Sequence, residues 1–122
     1  MAINARAGRL GEIGEEIAAQ FLIKKGYRIL DRNWRIKEGE IDIVALSPES
    51  DIIFIEVKSR TSAAFGDPLE SITIDKAMRI QRLALAWLAT HQRLGSNFRI
   101  DAIGILMGRT GAAAIDHRTS VL

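Results

Sequence analysis

Two short segments rich in isoleucine and valine, residues 40–46 and 52–58, lie on either side of a stretch of turn-forming residues, 47–51. β-Branched residues favour strands, and the sequence Ser-Pro-Glu-Ser-Asp between them is typical of a tight connection. The pattern therefore predicts a β-hairpin. In its second strand the side chains on both sides are apolar until Glu56, which indicates a central strand that is covered on both faces.

Two amphipathic helices are predicted on either side of this hairpin in the chain. Apolar residues recur at three- and four-residue steps over residues 6–25 and again over 75–94, with Asp75 as the expected N-cap of the second helix. Gly26 and Gly95 follow the two segments, as is typical of helix C-termini. Further strands are predicted at 27–32, 98–107 and 112–116, a polar turn at 33–38, and a loop at 59–71.

The passage from strand 52–58 through a helix to strand 98–107 makes these two strands parallel, whereas the hairpin is antiparallel. The expected fold is therefore α/β, with a central mixed β-sheet flanked by helices. A chain of 122 residues, 48% of them hydrophobic, is long enough for one domain over residues 1–122 with its own core.

Composition excludes several classes of function. The chain has no cysteine, which removes disulfides, thiolate zinc sites and cysteine nucleophiles, and it has no apolar run of membrane-spanning length. No signal-peptide pattern occurs near Met1, so we expect a cytoplasmic protein with no membrane association. A net charge of +2 is too small to indicate a polyanionic partner, and any such evidence has to be local.

The hairpin predicts a cluster of charged side chains. A turn that closes symmetrically about residues 47–51 places Asp42 opposite Glu56 and Glu40 opposite Lys58. Opposed residues of an antiparallel pair project from the same face, about 5 Å apart at Cβ. Two carboxylates so close repel each other unless one is protonated, a basic side chain neutralises it, or a cation lies between them.

A divalent metal is the most specific of these three solutions. Mg²⁺ prefers oxygen ligands and needs only one or two carboxylates, together with water and substrate phosphate. Lys58 lies two residues beyond Glu56, on the same side of the strand, where it could stabilise a phosphate or orient a water molecule. The alternative is structural, since Glu-x-Lys is often a solvated pair and Glu40 with Lys58 could form a plain cross-strand salt bridge.

Basic residues are concentrated between residues 24 and 37, where six of them accompany a single acid. Arg32, Arg35 and Lys37 are candidates for phosphate contacts, and Trp34 among them could stack on a base or simply cover the edge of the sheet. On the second helix Lys76 could reach a phosphate, and the alternative is a solvated helix face. The two histidines have no partner at zinc-ligand spacing, and neither a serine-hydrolase motif nor a phosphate-binding P-loop occurs. A glycosidase is disfavoured because only 6% of the residues are aromatic.

Motifs spread over nearly the whole chain resemble the YraN family. They are Gly14-Glu15, Gly26-Tyr27, Arg32-Asn33, Gly39-Glu40-Ile41-Asp42, Glu56-Val57-Lys58-Ser59-Arg60, Lys76 and Phe98-Arg99-Ile100-Asp101. That family is similar to archaeal Holliday junction resolvases, and so to the restriction-endonuclease-like nucleases. Their pattern is a glutamate on the first helix, then an aspartate, then Glu-x-Lys, and the matching residues are Glu15, Asp42, Glu56 and Lys58.

The resemblance implies a restriction-endonuclease-like fold and hydrolysis of DNA phosphodiesters, with branched recombination intermediates among the expected substrates. It implies Mg²⁺ or Mn²⁺ at Asp42 and Glu56, with the main-chain carbonyl of Val57 as a further ligand, and it adds Arg60 and Lys76 to the candidate DNA contacts. Resolvases act as dimers, so a homodimer is implied as well. The competing hypothesis is a module on the same fold that binds nucleic acid or a protein without cutting.

Overall fold

The computed structural model describes residues 2–61 and 73–121, with side chains from residue 9 onward. The order of elements along the chain is α1 (Ala2–Lys24), β1 (Arg28–Ile36), β2 (Gly39–Leu46), β3 (Ile52–Arg60), α2 (Ile74–Thr90), β4 (Phe98–Met107) and β5 (Ala113–Arg118).

The five strands form one mixed sheet in the order β1-β2-β3-β4-β5. Strands β3 and β4 are parallel, and every other neighbouring pair is antiparallel. The predicted α/β fold with a mixed sheet is confirmed. Strand β3 is central, and its residues 52–55 are buried because a helix covers each face of the sheet.

The two faces of the sheet carry separate apolar cores. Helix α1 packs Ala18 and Leu22 against one face, which includes Ile43 and Ile55. Helix α2 packs against the opposite face, where Trp87 and Phe54 meet edge to face at 5.6 Å between ring centroids. Because side chains alternate along a strand, β3 contributes Ile53 and Ile55 to the first core and Ile52 and Phe54 to the second.

Several predicted boundaries were wrong. The polar turn expected at 33–38 is largely strand, because β1 continues to Ile36 and pairs along its length with β2. Helix α2 is capped by Thr73, whose hydroxyl accepts the N–H of Lys76 at 3.2 Å, and Asp75 lies in the first turn instead of at the cap. The helix ends at Thr90, and β3 runs two residues past Lys58 into the predicted loop, most of which lies outside the described residues.

Neither helix combines the length and the apolar character needed to cross a membrane, within the ranges that the structure describes.

Candidate active site

The predicted hairpin register is confirmed over four pairs, from Leu46–Ile52 to Ile43–Ile55. The ladder ends there, one pair short of Asp42 and Glu56. The expected cross-strand pair of acids is therefore not formed, because the two strands part at this point.

The Asp42 side chain occupies the gap between the parted strands. Its Oδ2 accepts the backbone N–H of Val57 at 2.8 Å, a group that would otherwise be available to a strand neighbour. Since the N–H groups of a sheet point along the plane of the sheet, this carboxylate lies in that plane and does not project from one face. Asp42 lines a cavity on the α1 side together with Glu15, whereas Glu56 lines another cavity on the α2 side.

The surroundings of Asp42 disfavour its charged form. Burial raises its pKa most and the charge of Glu56 raises it next, while the N–H of Val57 lowers it and the charges of Glu15 and Glu40 raise it again. Together these effects bring the pKa of Asp42 from its ordinary 3.8 to about 7. Among the described residues no cationic side chain forms an ion pair with this carboxylate.

The other two acids of the predicted cluster have basic partners. Lys58 Nζ lies 3.2 Å from Oε1 of Glu56, its neighbour on the same face of β3. Arg35 donates through Nε and Nη2 to Oε2 of Glu40, at 3.0 and 2.6 Å. The expected cross-strand salt bridge between Glu40 and Lys58 is therefore not formed, because Glu40 pairs with Arg35 and Lys58 pairs with Glu56.

Glu15 approaches the gap from helix α1 and lines one cavity with Asp42. The helix comes close to β3 because position 14 is glycine: a Cβ there would lie 1.8 Å from the hydroxyl oxygen of Ser59. Burial and the charge of Glu40 raise the pKa of Glu15, and a hydrogen bond with the Asn33 side chain opposes this rise. Glu15 and Asp42 line the same cavity, of about 220 Å³.

Asn33 was missed by the sequence interpretation and contributes to the shape of this site. Its φ of 51° is left-handed, a conformation that asparagine adopts more readily than most residues. The alternation of β1 changes at this point: Arg32 reaches Glu16 on the α1 side, whereas Trp34 packs into the core on the α2 side. Its place in the Arg32-Asn33 motif of the family resemblance was the signal that could have suggested it.

The candidate nucleic-acid contacts fall into two groups. Two of them are ion-paired, Arg32 with Glu16 and Arg35 with Glu40, each at 2.6 Å. The other three, Lys37, Arg60 and Lys76, form no ion pair with the described residues. Lys37 is exposed at the turn before β2, and Arg60 donates through Nη1 to the Ser59 carbonyl at 3.0 Å. Lys76 lines a cavity together with Glu56 and Lys58.

A divalent cation at this site would bind two carboxylates that differ in whether a cationic side chain already neutralises them. Asp42 is half-buried, has no cationic partner among the described residues and lies close to other negative charges, so a cation would relieve an existing electrostatic penalty. Glu56 would have to share its charge with Lys58. Over residues 2–61 and 73–121, no group of three or more acidic or histidine side chains converges as a ready metal cage. The residues present fit Mg²⁺, which commonly binds through one or two carboxylates and retains water.

A second polar cluster surrounds Asp101 of β4, which pairs with Ile55 of β3. Asp101 is fully buried and receives hydrogen bonds from Arg99 Nε at 2.9 Å and from the backbone N–H of Ser120 at 3.0 Å, and His117 Nε2 lies 2.8 Å from it. Burial alone would raise the pKa of Asp101, but these bonds outweigh burial and lower it. Its hydrogen-bonding capacity is well satisfied, so we assign this cluster to stability.

The sequence profile of the uncharacterised protein family UPF0102 matches residues 14–105, in agreement with the YraN resemblance of the motifs. A UPF0102 protein from Beutenbergia cavernae is 42% identical over 112 residues, which cover 92% of this chain and 94% of that protein. A UPF0102 protein from Leifsonia xyli subsp. xyli is 41% identical over 118 residues, which cover 97% and 99%.

Two solved structures are similar to this chain at low identity. A repair endonuclease from Pyrococcus abyssi gives a TM-score of 0.40 at 19% identity, over 73% of this chain and 32% of that chain. Pyrococcus furiosus SfsA in complex with Ca²⁺ gives 0.41 at 18% identity, over 91% and 63%. Neither likeness is close enough to transfer a residue role.

Proposed function

This chain belongs to the uncharacterised protein family UPF0102, and from the chemistry of its site we propose that it is a metal-dependent endonuclease that hydrolyses DNA phosphodiester bonds. The observation that carries the proposal is the Asp42 carboxylate. It is held by the N–H of Val57 in the gap between β2 and β3, with no cationic partner among the described residues. A structural acid that stays charged in such a place would be expected to have a lysine or arginine beside it.

Asp42 and Glu56 would hold Mg²⁺ or Mn²⁺, with the carbonyl of Val57 as a third protein ligand. When bound, such an ion supplies Lewis-acid stabilisation of phosphate and a lower pKa for water. Lys58 would hold its ammonium against the anionic phosphate, and it already lies 3.2 Å from Glu56. Hydrolysis adds water to phosphorus and releases the ester oxygen, which takes up a proton.

Glu15 would assist from the α1 side. Its pKa is raised by burial and by the charge of Glu40, and it lines the cavity that Asp42 lines, so its carboxyl group is placed to exchange a proton there. The DNA backbone would contact Lys37, Arg60 and Lys76 directly. Arg32 and Arg35 would contribute by exchanging their carboxylate partners for phosphate.

The decisive experiment combines a binding and a cleavage assay. Calorimetry of the wild-type protein with Mg²⁺ and Mn²⁺ should show binding, and the Asp42→Asn variant should bind more weakly. A panel of linear, flapped and four-way DNA should be cut by the wild type in the presence of metal, and Glu56→Ala should leave it uncut. Absence of metal binding to the wild type, even with DNA present, would overturn the catalytic assignment, and equal product from both proteins would indicate a contaminating nuclease.

One observation favours a second candidate function, a module that binds nucleic acid without cutting it. Lys58 already neutralises Glu56, which reduces the charge that remains for a metal. In that case DNA affinity would decrease steeply with salt while metal had no effect on either stability or product. A homodimer, which the likeness to resolvases implies, belongs to both candidates and is tested by light scattering.

A further inference from the structure

A small cavity on the α2 side of the sheet brings together charges that the proposed mechanism uses only in part. Its volume is about 140 Å³, and it lies between the first turns of α2 and the parted ends of β2 and β3. Five charged side chains line it, together with Gly39, Ile80 and Leu83. They are Glu40, Glu56, Lys58, Lys76 and Arg79.

The pairing of these charges leaves two cations in excess. Glu40 forms an ion pair at 2.6 Å with Arg35, which lies outside the cavity, and Glu56 forms an ion pair at 3.2 Å with Lys58. Lys76 and Arg79 form no ion pair with any residue that the structure describes. The cavity therefore presents two positive charges that an anionic ligand would neutralise.

Both cations are positioned by contacts with the fold. The Arg79 stem lies across the first residue of β2, where a Cβ on Gly39 would come within 3.6 Å of Arg79 Cδ. The backbone φ of Gly39 is 152°, and a Cβ there would meet Leu83 more tightly, at 3.2 Å from Cδ1. Lys76 is half-buried, and its backbone N–H is fixed by the hydroxyl of Thr73 at the helix cap.

We propose that Lys76 and Arg79 form a subsite for a backbone phosphate of the nucleic-acid strand, next to the phosphate that faces Glu56 and Lys58. This inference rests on the proposed function and adds the route of the strand, which crosses the sheet end on the α2 side. Arginine binds phosphate through two parallel N–H groups, whereas lysine supplies a point charge. The pair would therefore both orient the phosphate and attract it electrostatically.

The subsite differs from the basic stretch of β1 in what binding costs. Arg32 and Arg35 have to give up a carboxylate before they can bind phosphate, and each such exchange offsets part of the gain. Lys76 and Arg79 lose only water. We therefore expect this pair to contribute more to DNA affinity than the two arginines of β1.

The test measures binding without cleavage. Fluorescence anisotropy of a short labelled DNA duplex is followed over a range of salt in EDTA, so that no metal-dependent reaction takes place. For the Lys76→Ala, Arg79→Ala double variant the slope of log K against log salt should fall by about 0.9, since each lost phosphate contact contributes about 0.9 and the pair holds one phosphate. The affinity of the double variant at low salt should fall about tenfold or more. The Arg79→Lys single variant keeps the charge, so it should keep the wild-type slope but only part of the wild-type affinity.

A charge-matched control separates a local subsite from a general loss of charge. Arg28 and Arg93 are exposed and lie at the other end of the sheet and beyond α2, so their joint change to alanine removes the same charge at a distance. It should leave the slope nearly unchanged. Equal effects of the two double variants would overturn the subsite.

The outcome is independent of whether the protein cuts DNA. A wild type that binds DNA in EDTA, loses affinity in the Lys76, Arg79 variant and shows no metal-dependent cleavage would retain the subsite and overturn the nuclease. A wild type that cuts DNA, with the slope intact in the double variant, would retain the nuclease and overturn the subsite. No DNA affinity at low salt would overturn both.

Discussion

Replacing Asp42 with asparagine should make the metal-free protein more stable at alkaline pH, although it removes the central residue of the proposed site. Asparagine keeps the shape of the side chain, and its carbonyl oxygen can still accept the N–H of Val57. What disappears is the cost of holding a negative charge in the gap between β2 and β3, beside the charges of Glu56, Glu15 and Glu40.

The size of the gain follows from the raised pKa of Asp42. The difference between about 7 in the folded chain and the ordinary 3.8 corresponds to about 4 kcal/mol, at about 1.4 kcal/mol for each tenfold change in proton affinity. This is an upper value, since a neutral amide forms a weaker bond with the Val57 N–H than a carboxylate does. We expect a gain of about 2 to 4 kcal/mol.

The sign of the pH dependence is fixed by the direction of the change in pKa. The folded state binds the Asp42 proton more tightly than the unfolded state does, so the contribution of this group is most favourable below 3.8 and is lost as the pH rises through about 7. The difference between Asp42→Asn and wild type should thus be small at about pH 4, grow towards neutrality and level off above about pH 8.

Urea denaturation of both proteins in EDTA, followed by circular dichroism across this pH range, measures the difference directly. Comparing the two proteins at each pH cancels the titration of all groups that they share. An Asn variant that is less stable than wild type at about pH 8, or a difference that does not vary with pH, would refute the assignment of a half-buried, uncompensated charge to Asp42.

Mg²⁺ or Mn²⁺ should raise the melting temperature of the wild type at about pH 8 and have little effect on Asp42→Asn, and equal shifts by calorimetry would contradict a site at Asp42. Gly14→Ala should cost about 1 to 3 kcal/mol in urea because the new Cβ meets the Ser59 side chain. The addition of Ser59→Gly should recover much of that loss, while Gly11→Ala, where nothing lies within 4 Å, should cost nothing. Asp101→Asn should lower the free energy of unfolding by about 3 kcal/mol or more in the same assay, because it removes a charge that the hydrogen bonds to this buried side chain stabilise. A loss below about 1 kcal/mol would argue against a stabilising role for Asp101.

The hairpin was predictable because its register depends on local information. The length of the turn and the alternation of isoleucine and valine fix which residues face each other, and both are visible in the sequence. The prediction failed where a side chain replaces the backbone as a hydrogen-bonding partner. Asp42 accepts the N–H of Val57, and nothing in residue type or spacing distinguishes that arrangement from a continued ladder.

Strand β1 exceeded its predicted length for a related reason. Asn33 has weak strand propensity, but the pairing of β1 with β2 supplies hydrogen bonds that outweigh this preference. The ion pairs of Arg32 and Arg35 were equally out of reach, because their partners depend on how α1 is rotated and on the bend at Asn33. The identities of the candidate catalytic residues were accessible from motifs, whereas their partners required coordinates.

The two tryptophans of the chain, Trp34 and Trp87, both lie in the core under α2, and Trp87 stacks on His91 with ring centroids 4.0 Å apart. On the α1 face the described aromatic rings are Phe21 and Tyr27. Tryptophan fluorescence therefore reports on only one face of the sheet. It should change when α2 detaches and remain unchanged when α1 loosens. If emission and helical ellipticity melt at different temperatures, the gap between the two curves reports the independent release of the layer that carries Glu15.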